Sequence, residues 1–137
     1  MAKPVQTRAS VSIGSGLGEA RMLELAEKAS TNVDDAAGRI RLETRGPHAT
    51  SFSVRDHVEG REVMRFDVVT DRSIGRTTAR TAITSFQVKE GGVAALVPMA
   101  KKKLIGFSAY EAFLDWYVSA VVAEDRDAIV TLVDGKD

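Results

Sequence analysis

The chain contains no cysteine in 137 residues. Disulfides, thiolate nucleophiles, iron–sulfur clusters and thiolate zinc sites are therefore excluded. Histidine is nearly as scarce: His48 and His57 are the only two, and neither sits in a carboxylate cluster at ligand spacing. Neither a metal nor a cofactor is expected. An excess of one charge is missing as well, because 19 Lys plus Arg balance 19 Asp plus Glu. Nucleic-acid binding by bulk positive charge is thereby excluded, and 44% hydrophobic residues exclude intrinsic disorder. The most apolar stretch, 107–123, carries Glu111 and Asp115 and is too short and too charged to cross a bilayer. Residues 5–13 alternate where a secretory leader would be uniformly apolar, so a cytoplasmic protein with no membrane partner is expected.

What is present reads as one globular domain over 1–137, with 134–137 as a frayed tail. Apolar residues alternate over 5–13, the period of a half-buried strand. Gly14-Ser15-Gly16-Leu17-Gly18 breaks that pattern. Met22, Leu25, Ala26 and Ala29 then form the apolar stripe of a helix over 18–30. Strand patterns follow over 39–45, 50–58, 61–69, 76–88 and 93–97, separated by short turn sequences such as Gly46-Pro47 and Glu59-Gly60. Ser108 and Glu111 have the spacing of a capping box, opening a helix that runs to Ala123. A last strand covers 128–133.

The order is strand, helix, a meander of about five strands, helix, strand. Clean alternation implies an antiparallel sheet with one face covered, so the fold class is α+β: a single curved antiparallel sheet with two helices on one face. The second helix is the most informative segment. Tyr110, Phe113, Leu114, Tyr117, Val118, Val121 and Val122 share its sheet-facing side, and an alanine flank suits close approach of the first helix.

Four groups of residues are weighed as candidates for function. Tyr110, Phe113, Trp116 and Tyr117, with Phe66 and Met64 from the sheet, would line an apolar cavity between helix and sheet, and Trp116 could alternatively centre a homo-oligomer contact. Arg39, Arg41 and Arg80 on the exposed strand faces, with Lys101, Lys102 and Lys103, would hold an anionic ligand or RNA. No aromatic residues interleave with those arginines, as single-strand binding would require. Asp56-His57 is the one acid–imidazole pair, but neighbours on a strand point to opposite faces, so it makes a poor catalytic unit. The glycine stretch 14–18 lies where a phosphate loop would lie, but Glu19 occupies a position the dinucleotide pattern gives to Gly or Ala.

The leading expectation is a non-catalytic binding domain for a small apolar or amphipathic ligand or for its own copy. An RNA- or anion-binding module comes next, and an enzyme with a site near His57 third. The neutral total also conceals segregation: net charge is −1 over 1–38, +6 over 39–103 and −5 over 104–137.

Overall fold

The structure, a computed structural model, describes residues 4–88 and 103–135. Strands β1 (Ser10–Ser15), β2 (Arg39–Arg45), β3 (Ala49–Arg55), β4 (Glu62–Ser73), β5 (Arg76–Phe86) and β6 (Ile129–Val133) form an open antiparallel sheet in the order β2-β3-β4-β5-β1-β6. Helices α1 (Glu19–Asn32) and α2 (Phe107–Glu124) pack against it. The α+β architecture expected from patterning is therefore the one observed. Of the meander, four strands lie among the described residues, and 93–97 falls outside them, as do Lys101 and Lys102.

Several boundaries differ from expectation for identifiable reasons. Residues Val5–Arg8 form a 3₁₀ turn instead of the start of a strand. The Thr7 hydroxyl and N–H both donate to the Pro4 carbonyl, drawing the backbone into that turn. β3 ends at Arg55, three residues early, because the Asp56 carboxylate accepts the N–H groups of Val58, Glu59, Gly60 and Arg61 and winds them into a turn. β4 runs four residues further than expected. Its connection to β5 is the two-residue turn Ile74-Gly75, with φ of 44° and 75°. A β-branched residue at positive φ is disfavoured, so nothing in Ser-Ile-Gly-Arg announced so tight a hairpin.

The expected capping box is not used. α2 starts one residue earlier, and Ser108 Oγ donates to Asp35 Oδ2 at 2.7 Å instead of turning back on the helix. Gly106 precedes the helix at φ 83°, and a Cβ there would lie 2.9 Å from Val54 Cγ1 and 3.0 Å from Val63 Cγ2. The missing side chain lets the helix start settle directly on β3 and β4. The buried face of α2 is also narrower than the pattern suggested, since Val118 is half-buried and Val122 exposed.

The core is an aromatic cluster. Phe52 and Phe66, register partners on β3 and β4, stack at 5.4 Å between centroids. Phe113 lies 4.8 Å from Phe66 and Tyr110 5.0 Å from it, edge-on. Phe113 in turn stacks on Tyr117 at 5.7 Å. Where β1 stops pairing with β5, side chains take over the ladder. The Val11 N–H donates to Thr81 Oγ1 at 3.0 Å, the Thr81 and Tyr110 hydroxyls bond at 3.0 Å, and Tyr110 donates to the Ala9 carbonyl at 2.7 Å. Tyr117 donates to the Met22 carbonyl of α1 at 3.0 Å. The helices run antiparallel, with Arg21 of α1 bonded to Glu124 at the end of α2 and Asp35, beyond α1, bonded to Ser108 at its start.

Replacing Tyr110 by Phe keeps the ring but leaves the buried Ala9 carbonyl and Thr81 hydroxyl short of a partner. A loss of about 1–3 kcal/mol in unfolding free energy is expected by denaturant titration. Burial pushes the Tyr110 phenol up to about 12 and raises that of Tyr117 too. A raised folded value means the unfolded chain releases its proton first, so stability falls as pH climbs past 10, the ordinary phenol value. Tyr110→Phe should remove about 1.4 kcal/mol per pH unit from that alkaline slope.

Candidate interaction surface

Met64, Phe66, Tyr110, Phe113 and Tyr117 have no exposed surface and fill the helix–sheet interface with one another. Trp116 alone of that group reaches solvent, at 47% exposure. It lies two residues from Val118, about 200° around the helix, and so on the flank turned away from β6.

The arginines occupy the helix-free face of the sheet, where Arg41, Ser53 and Arg65 are register partners across β2, β3 and β4. Arg41, Arg55 and Arg65 converge on Glu43. Its carboxylate accepts from Ser53 Oγ at 2.6 Å and Arg55 Nη2 at 3.0 Å, with Arg41 at 3.7 Å and Arg65 at 3.8 Å. Glu62 closes the network, 2.9 Å from Arg65. The Ser53 hydrogen bond, then Arg55, holds the Glu43 carboxyl below its ordinary range. Acids already sit among these guanidinium groups, so the cluster is a cross-strand ion network. Arg80, on β5, is three strands from Arg39 and Arg41, about 14 Å across the sheet, and lies five residues along β5 from the row that Arg41 occupies. Lys103 is exposed near the start of α2. The structure thus does not gather Arg39, Arg41, Arg80 and Lys103 into one site.

Residues 14–18 hold no open anion cradle. The Gly16 N–H donates to Asp125 Oδ2 at 3.0 Å and the Leu17 N–H to Ser15 Oγ, whose own hydroxyl donates to Asp125 at 2.6 Å. Ser15, and then the Gly16 N–H, keep the Asp125 carboxyl below its usual range. Glu19, in the first turn of α1, bonds His48 at 2.8 Å and Thr70 at 2.7 Å, which lower its pKa in that order. Two carboxylates thus stand where a phosphate would have to sit. His57 lies in a turn, its Nε2 2.7 Å from the Asp35 carbonyl. Its neighbour Asp56 is committed to the four N–H groups of that turn, so the pair makes no acid–base unit. No group of three or more His, Asp or Glu able to hold a metal occurs among the described residues.

Sequence reasoning missed where β6 lies in the sheet. This strand was expected, but its place at the sheet edge was not. Ile129, Val130, Leu132 and Val133 are all exposed, Leu132 at 58%. Register with the buried Val11 and Ile13 puts Leu132 and Val130 on the helix side of the sheet. Ile129, Thr131 and Val133 take the other side. Between β6 and α2 runs a groove of about 300 Å³, lined by Leu114, Asp115, Val118, Ser119, Val130 and Leu132. The signal that could have found it is the run Ile-Val-Thr-Leu-Val itself. It is apolar at both parities, which normally marks a strand covered on both faces.

No family model matches the chain, and neither does a curated protein or a solved structure.

Asp125 joins β1, the turn before α1 and the end of α2. A depressed folded pKa gives stability that is present above 3.8, the ordinary aspartate value, and lost as pH falls through the folded value. Asp125→Asn should lower the melting temperature at neutral pH and flatten its decline on acidification, as thermal scans between pH 7 and pH 3 would check.

Proposed function

We propose that this protein is a non-catalytic binding domain whose working surface is the apolar ledge formed by β6 and the neighbouring flank of α2. One observation carries the reading. β6 exposes large aliphatic side chains on both faces at a sheet edge that no other described strand pairs with, beside an apolar groove that continues onto α2. A contiguous exposed apolar surface rimmed by polar residues is the usual mark of a binding site in a folded protein. Asp115 and Ser119 supply that rim. The other candidate regions support binding less well, since the aromatic cluster is closed and Glu43 sits among the arginines.

The environment-sensitive dye bis-ANS is a direct probe of the ledge. Leu132→Glu and Val130→Glu change exposed edge positions and should leave far-ultraviolet circular dichroism unchanged while reducing dye fluorescence several-fold. Arg41→Glu, on the far strand, should leave fluorescence as it was. Equal dye uptake by wild type and Leu132→Glu would overturn the proposal.

A further inference from the structure

We infer that the occupant of the ledge is a second copy of this chain, whose β6 pairs antiparallel with β6 about a two-fold axis at Thr131. The inference rests on the ledge being the working surface and names its partner. An open edge presents a row of unpaired N–H and C=O groups, which another extended strand satisfies best. The two edges of this sheet are treated oppositely. β2 carries Arg39, Arg41 and Arg45 and a register shift between Leu42 and Thr44, devices that obstruct strand addition. β6 has no charge, no proline and no bulge.

The sequence of β6 is close to its own mirror image. Centred on Thr131, antiparallel pairing sets Ile129 opposite Val133 of the second copy and Val130 opposite its Leu132. Thr131 then meets itself, a favourable cross-strand pair. One step outward Ala128 meets Asp134, so within 128–134 no like charges are opposed. Because 129, 131 and 133 share one face, the pairing exchanges them among themselves, and aliphatic meets aliphatic on both faces. The axis stands perpendicular to the sheet, so both helix layers lie on the same side. The two α2–β6 grooves then join into one trough floored by Val130 and Leu132 of each copy. The contact is isologous and closes on itself, which ends growth at two chains. A five-residue edge is a small interface, so association should be weak and concentration-dependent.

The absence of cysteine makes the test clean. In Thr131→Cys the two thiols would sit on directly opposed residues, with Cα atoms about 4.5–5.5 Å apart and within disulfide reach. In Ile129→Cys the two equivalent residues would be about 14 Å apart along the strand. Under mild oxidation Thr131→Cys should cross-link to a dimer on the order of tenfold faster than Ile129→Cys. A mixture of Ile129→Cys with Val133→Cys should cross-link as well. Wild type should sediment with a mass that rises with concentration toward twice that of the chain, and Leu132→Lys should remain a monomer. A dimer in which Ile129→Cys links as fast as Thr131→Cys overturns the proposed register. A wild-type chain that stays monomeric to millimolar concentration overturns the second copy as partner. The dye experiment is read separately, so a monomer that binds bis-ANS at Leu132 keeps the ledge, whereas one that does not loses both.

Discussion

The fold depends on Tyr110. Its ring sits edge-on to Phe66 in the aromatic core, and its hydroxyl reaches past the core to β1 and β5. At that point the two strands diverge, and Val11 N–H and Ala9 C=O would otherwise be buried without partners. Such a gap costs on the order of 1–3 kcal/mol per group in a protein interior. One side chain therefore anchors α2 and completes the ladder of β1. Tyr117, about two turns further along the same helix face, does the same toward α1. Because these hydroxyls have fixed partners, the helix pair has one register on the sheet. That register leaves β6 beyond the helical layer.

Charge in this molecule works as joinery. Asp125, Glu19 and Asp56 each accept two or more hydrogen bonds that hold a turn or join two elements. Glu43 holds arginines of three strands together from within. The segregation of charge along the chain, basic in the meander and acidic after it, follows from this arrangement. Arginines of β2, β3 and β4 meet carboxylates on the same face, while Asp125 and Glu124 at the end of α2 close back on Ser15 and Arg21. A neutral total with segregated segments thus describes a protein in which many charged side chains are bonded within the fold.

Period and turn chemistry made most of the architecture legible. Arg39–Arg45 coincides with β2 residue for residue, and both helices were visible from their stripes. The errors cluster where a side chain captured the backbone. Asp56 ended β3 early, Asp35 drew Ser108 from its capping role, and Ile74 adopted a conformation that its type disfavours. Strand order was not legible, because the place of β1 between β5 and the edge strand β6 depends on contacts between distant segments. The candidate surface was missed for that reason. Whether an apolar run is core or edge is a property of its neighbours.

The two rims of the sheet make the same argument from opposite directions. An edge strand exposed to water is a standing invitation to pair, and proteins that must avoid pairing blunt it with charge, proline or a bulge. β2 is blunted with three arginines and a register shift, and one of those arginines, Arg45, is also fastened to Glu27 of α1 at 3.0 Å. The means of protection are therefore present in this chain and are applied to one edge only. On β6 the exposed positions are aliphatic, although Leu132, 58% exposed, could carry a lysine without burying its charge. In the proposed pairing a second β6 covers Val130 and Leu132. The near-palindrome around Thr131 supplies such a strand from the chain itself.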